Sequence, residues 1–137
     1  MTHSRRGLVL FAVLGLAVGC SSDAPKLNEK PVHKVRGQVL VNDKPAAGAF
    51  VLFIPVNEAA GSTDPRPRAT ADDNGHFVIS TYGDGDGAPA GEYRVTVTWP
   101  DGNDVEDRLN GRYSPANSKL KATVKDGPNE LPVYKLK

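Results

Sequence analysis

The chain has 137 residues, with 17 Lys and Arg against 16 Asp and Glu, so its formal charge of +1 supplies no basic excess for nucleic acid. A single Cys excludes an internal disulfide and a Cys-rich zinc site. Hydrophobic residues make up 39% and aromatics only 7%, which predicts a mostly aliphatic core in one domain. In chain order, Arg5 and Arg6 precede an apolar run from Gly7 to Gly19. Those 13 residues fall short of the roughly 20 that span a bilayer as a helix. A basic start and a short apolar stretch are expected of a secretory signal peptide over 1–19.

The lone Cys stands where this run stops. Ala17-Val18-Gly19-Cys20 resembles the lipobox of bacterial lipoproteins, with Gly19 at the small position before the cleaved bond. Ala17 holds the place usually taken by Leu, and Leu16 lies one residue earlier. The resemblance implies cleavage between Gly19 and Cys20. It also implies a thioether-linked diacylglycerol and an amide-linked acyl chain on Cys20, making membrane lipid the partner. Two or more chains give stable residence, at about 0.8 kcal/mol per buried methylene. Cleavage removes Arg5 and Arg6 and no acidic residue, so a polybasic contact is not the expected anchor. Ser21, rather than an acidic residue, points to the outer membrane of the cell envelope, on its periplasmic or surface face.

Residues 20–31 form the lipidated N-terminus and a polar tether with prolines at 25 and 31 and no apolar period. From 32 to 137 short apolar runs recur between Gly, Pro, Asn and Asp. Val35 to Val41 reads as a strand, Asn42-Asp43-Lys44-Pro45 as a turn, and Ala49 to Ile54 as a strand buried on both faces. A polar loop from Val56 to Pro67 leads to a short strand, Arg68 to Ala71. Asp72-Asp73-Asn74-Gly75 is a hairpin signal, because Asn-Gly accepts the positive φ of tight turns. His76 to Ser80 is a strand and Gly83 to Pro89 a loop. Glu92 to Trp99 shows the strictest alternation, with Tyr93, Val95, Val97 and Trp99 on one face. One or two helical turns are expected over Asn103 to Asn110, then strands from Leu120 to Val124 and Leu131 to Leu136. About seven short strands without a long helix predict an all-β fold, an antiparallel sandwich of Ig-like or prealbumin-like type.

Several motifs recur in order: Val35-x-Gly37-x-Val39, Lys44-Pro45-Ala46-Ala47-Gly48-Ala49-x-Val51-x-Phe53-x-Pro55, Ala71-Asp72-x-Asn74-Gly75-x-Phe77 and Asp86-Gly87-Ala88-Pro89-Ala90-Gly91-Glu92-Tyr93-x-Val95-x-Val97. Together they resemble the carboxypeptidase regulatory-like, or transthyretin-like, domain of bacterial lipoproteins. The resemblance covers Val35 to Trp99 closely and Arg112 to Leu136 more loosely. It implies a prealbumin-like sandwich and an accessory rather than catalytic role.

No residue set for catalysis or for a resident metal emerges, and no cofactor is expected. His3 lies in the leader, His33 ends the tether and His76 follows a turn, whereas a zinc hydrolase needs three clustered ligands. Transthyretin-like hydroxyisourate hydrolases end in Tyr-Arg-Gly-Ser; this chain ends Tyr134-Lys135-Leu136-Lys137. There is no Gly-x-Ser-x-Gly elbow. Asp84-Gly85-Asp86-Gly87 admits a calcium loop, but Ala88 and Pro89 stand where a further oxygen ligand belongs. The competing reading has these aspartates bonding their own backbone. Trp99, Tyr82 and Tyr113 are candidates for stacking on sugar rings or for rim packing. Arg66, Arg68, Arg94, Arg108 and Arg112 are dispersed. The expected function is a membrane-anchored, non-catalytic module with a structural or recognition role toward an envelope protein or glycan, working through loops or a strand edge. A carbohydrate-binding module is the alternative, and a small hydrolase using His76 a third.

Overall fold

The computed structural model describes residues 28–102 and 106–137. The signal segment 1–19, Gly19, Cys20 and the first part of the tether lie outside these residues. Eleven strands follow in order: β1 (Val32–His33), β2 (Val35–Val41), β3 (Lys44–Pro45), β4 (Phe50–Pro55), β5 (Arg68–Thr70), β6 (His76–Val78), β7 (Ala88–Pro89), β8 (Gly91–Thr98), β9 (Leu120–Val124), β10 (Asn129–Glu130) and β11 (Tyr134–Leu136). They make a sandwich-like, all-β arrangement. One layer is antiparallel in the order β5-β4-β8-β9. The other is built around β2, with β6 and β3 antiparallel on one side and β10 and β11 parallel on the other. β1 pairs with β7 as a separate two-stranded ribbon.

The core lies between the layers. Val35, Val39, Val51, Phe53, Val95 and Val97 are fully buried, each contributed by every second residue of its strand. Phe53 packs against Tyr93 with ring centroids 5.4 Å apart, and Phe77 stacks on Tyr134 at 6.4 Å.

The structure corrects the sequence-based expectation in several places. Seven alternating runs become β2, β4, β5, β6, β8, β9 and β11; the remaining four strands are two-residue pairings with no periodicity to read. The sheet is not wholly antiparallel, because the C-terminal segment returns alongside β2 in the same direction. β4 is buried on one face only: Val51 and Phe53 are inside, while Phe50 on the opposite face is 38% exposed. Among the described residues no second layer covers that outer face, so a continuous apolar run here marks a one-sided strand. The Asp72–Gly75 turn forms, with Gly75 at φ 75° and its N–H bonded to the Asp72 carbonyl. However, it joins strands of different layers rather than a hairpin within one sheet, since β5 pairs with β4 and β6 with β2. Part of the expected helical segment, 103–105, lies outside the described residues. The part described, from Asp107 onward, is a chain of tight turns.

The two flanks of the sandwich differ. On the β5/β6 side the layers are sewn together by a backbone bridge, with Arg68 and Ser80 exchanging both N–H···O bonds. On the β9/β10/β11 side the ties are made by side chains. The Tyr134 hydroxyl donates to the Lys121 carbonyl (2.9 Å), and the Asn129 side chain bonds both the N–H and the carbonyl of Lys125.

Candidate functional site

The chain enters the domain at one pole. β4 ends at Pro55, β8 starts at Gly91, and residues 56–67 fold back between them, leaving a cleft of about 360 Å³. Pro55, Pro67, Pro89 and Tyr82 contribute stiff walls, and Lys30 stands at the rim. Two ion pairs hold the loop in place. Lys30 Nζ meets Asp64 Oδ2 at 2.6 Å, and Arg66 binds Glu58 through two nitrogens at 3.2 and 2.8 Å. The hydrogen bond to Asp64 raises the Lys30 ammonium above its ordinary value. Lys30 also donates its backbone N–H to the Tyr82 hydroxyl (3.0 Å), which ties the incoming chain to the domain. Tyr93 sits under the cleft and donates its hydroxyl to the Pro89 carbonyl at 2.6 Å. Burial, with the nearby Tyr82 adding to it, pushes the Tyr93 phenol up to about 12, so it remains a neutral donor at physiological pH. Lys30, Asp64, Arg66 and Glu58 are thus paired with one another, while the Glu92 carboxylate also lines the cleft.

Asp84 and Asp86 border this pole. Asp86 accepts backbone N–H groups from Thr81 (2.7 Å), Tyr82 (3.0 Å) and Gly83 (2.8 Å). Burial works to raise its carboxyl, but the N–H groups of Thr81, Gly83 and Tyr82 outweigh it and hold the pKa below the usual carboxylate range. The Asp86 oxygens are therefore turned onto their own loop, as the backbone reading of Asp-Gly-Asp-Gly anticipated. Among the described residues no group of three or more His, Cys, Asp or Glu is arranged to hold a metal ion.

This cradle makes a testable contribution to stability. The Asp86 pKa is depressed in the folded state, so the stabilisation is present above the unfolded carboxylate value and lost as pH falls through the folded one. Asp86→Asn places an amide N–H₂ against backbone donors. At pH 7 it is expected to lower unfolding free energy by about 1–2 kcal/mol, with the gap to the parent narrowing below about pH 4. Urea denaturation at a series of pH values measures both; a gap that stays constant into acid contradicts the assignment.

At the opposite pole Trp99 is half-buried. Its indole N–H donates to the Ala47 carbonyl (2.9 Å), and the Arg108 guanidinium lies 4.8 Å from the ring centroid. Arg108 is in turn paired with Asp101. Asp107 accepts the N–H groups of Trp99, Leu109 and Gly111, which outweigh the opposing effect of burial and lower its pKa. One face of the indole and its only donor are thus already engaged, which leaves a sugar at most the other face. Tyr113 packs against the core, and its hydroxyl accepts the N–H of Lys137 (3.2 Å). Arg94 donates to the Pro115 carbonyl and Arg112 to the Lys137 carbonyl, so these arginines brace loops.

The histidines are not brought together. His33 lies at the N-terminal pole, accepting the Gly127 N–H at Nδ1 (3.1 Å) and facing Asp126 from Nε2 (3.2 Å). His76 starts β6 on the surface opposite Gln38, with its N–H bonded to the Asp72 carboxylate. Among the described residues no buried side-chain nitrogen or oxygen lacks a partner, so none is left aimed at an absent ligand.

No protein-family model and no curated protein matches the chain. Three solved chains match. One is a DUF3823 family protein from Parabacteroides merdae, at TM-score 0.44 and 15% identity, covering 78% of this chain and 46% of that one. Another is a 9R-lipoxygenase from Cyanothece, at TM-score 0.41 and 16% identity, covering 81% of this chain and 18% of that one. The chain thus spans less than half the length of the first and less than a fifth of the second.

Proposed function

We propose that the protein is an envelope lipoprotein, held by acyl chains on Cys20, whose sandwich is a non-catalytic recognition module of the carboxypeptidase regulatory-like type. The observation that carries this reading is the position of Cys20. It is the only Cys, it ends a 13-residue apolar run behind two arginines, and a polar, proline-containing segment separates it from the fold. The architecture supports the arrangement. Lys30, bonded to the domain through Tyr82, stands ten residues after Cys20, a span of at most about 35 Å when extended. A tether of that reach would hold the sandwich near the bilayer while leaving it free to meet partners on the aqueous side.

Metabolic labelling with radioactive palmitate, combined with detergent-phase partitioning, tests the anchor. The parent protein is expected to take up label and enter the detergent phase. Cys20→Ala is expected to lose essentially all label and accumulate as the uncleaved precursor. Label that persists on Cys20→Ala, or a native chain carrying a free thiol by mass spectrometry, overturns the proposal.

A further inference from the structure

The charge of the chain is unevenly placed. Residues 119–137 carry Lys119, Lys121, Lys125, Lys135 and Lys137 against Asp126 and Glu130, while the whole chain is only +1. These lysines fall on the flank that the backbone does not close. In β8 the Val95 carbonyl receives the Ser118 hydroxyl and the Val97 N–H donates to Tyr113, so the odd-numbered peptide groups of β8 face β9. Their ladder partners are Leu120, Ala122 and Val124. By the alternation of an antiparallel pair, the peptide groups of Lys121 and Thr123 point the other way, out of the sheet. The Tyr134 hydroxyl takes the Lys121 carbonyl. The Lys121 N–H and both peptide groups of Thr123 face a groove of about 470 Å³, whose other wall is formed by Pro128, Asn129, Glu130, Leu131 and Pro132; the next outward pair, on Lys125, is taken by the Asn129 side chain.

We propose that this edge of β9 is a docking site for an extended, acidic segment of a partner protein, added to the β5-β4-β8-β9 sheet as a further strand. The three free peptide groups, between the Tyr134 tie to Lys121 and the Asn129 tie to Lys125, supply main-chain hydrogen bonds over a short stretch, and Leu131 with the two prolines gives an apolar wall for the side chains beside it. Lys119, Lys121 and Lys125 select carboxylates on the partner. A second copy of this chain is disfavoured as occupant, because pairing β9 with β9 sets the lysines of each edge against one another. The same lysines keep the edge from indiscriminate pairing, since any uncharged strand must approach through them. The opposite flank differs, because there Arg68 and Ser80 use their peptide groups on each other and no lysine stands beside them on β5 or β6. The inference specifies the partner class for the recognition role proposed above, yet it does not depend on the lipid.

The test uses the full-length protein in detergent micelles and a fluorescein-labelled decapeptide of alternating Asp and Val. Fluorescence anisotropy is expected to show saturable binding that weakens with added salt. Lys121→Glu with Lys125→Glu is expected to weaken it about tenfold, at roughly two- to fivefold per lysine lost. Thr123→Pro deletes an outward N–H without touching the β8 ladder, and it is expected to abolish binding. A peptide with Pro at alternate positions and the same charge is expected not to bind. Amide exchange adds a structural readout: Lys121 and Thr123 gain protection on binding, while Ala122 and Val124, already in the ladder, change little. Binding insensitive to Thr123→Pro, or no binding at all, overturns the proposal. So does equal lysine-dependent affinity for anionic vesicles without any effect of Thr123→Pro, which would assign the patch to lipid. Peptide binding is read in solution and acylation by palmitate, so each proposal fails by its own measurement.

Discussion

Gly87→Ala is expected to destabilise the domain by about 3–5 kcal/mol, the range reached when strain and a backbone clash combine. Gly87 has φ 109°, a region closed to L side chains, and a Cβ added there would overlap the carbonyl of His33. The site has no slack. The Gly87 N–H bonds the Ile79 carbonyl (2.9 Å), its own carbonyl accepts the Thr81 hydroxyl (2.6 Å), and the next residue, Ala88, pairs with His33. The neighbouring Asp86 is at the same time clasped by the N–H groups of Thr81, Tyr82 and Gly83. A methyl group must either push β1 off β7 or break this clasp. Both routes loosen the pole where β1 pairs with β7. Thermal unfolding is expected to fall by roughly 10–20 °C. Amide exchange at His33 and Ala88 separates the routes, since detachment of β1 removes their protection first. A midpoint within 2 °C of the parent contradicts the close approach on which this pole is built.

Much of the fold was legible from side-chain alternation, and the misses have distinct physical causes. β8 declares itself because Tyr93, Val95 and Val97 face the core while Glu92, Arg94 and Thr98 meet water. β4 was harder: Phe50, Leu52 and Ile54 interrupt the polar face that a one-sided strand normally shows, and apolar continuity alone does not distinguish one buried face from two. The direction of β11 has no sequence signal at all. Tyr134 and Leu136 would be buried alike in a parallel or an antiparallel pairing, and only the path of the chain decides. At the candidate cleft the prolines and the polar loop were readable, but the Lys30–Asp64 and Arg66–Glu58 pairs were not, being set by folding rather than by spacing. The β9 edge escaped notice for a different reason. A net charge near zero averages a basic C-terminal segment against the rest, and the unpaired peptide groups beside it exist only once register is known.

Phe53→Ala is expected to cost about 3–5 kcal/mol, the range for emptying a large aromatic from a packed interior. Phe53 has no exposed surface, sits mid-way along β4 opposite Val95, and its ring meets that of its diagonal neighbour Tyr93 at a tilt of 42°. Phe50, three residues earlier on the same strand, provides the internal control. It faces outward at 38% exposure, so Phe50→Ala removes little buried area and is expected to change stability by less than about 1 kcal/mol. The contrast measures whether β4 is covered on one side or two: comparable losses for both variants would require a second layer over Phe50 that the described residues do not supply. The consequence extends to the cleft, because the ring that Phe53 supports is Tyr93, whose hydroxyl ties β8 to Pro89 under the cleft floor. Loss of that support is expected to lower amide protection from Gly91 to Tyr93 while leaving β6 and β11, which pack around Phe77 and Tyr134, close to the parent until global unfolding begins.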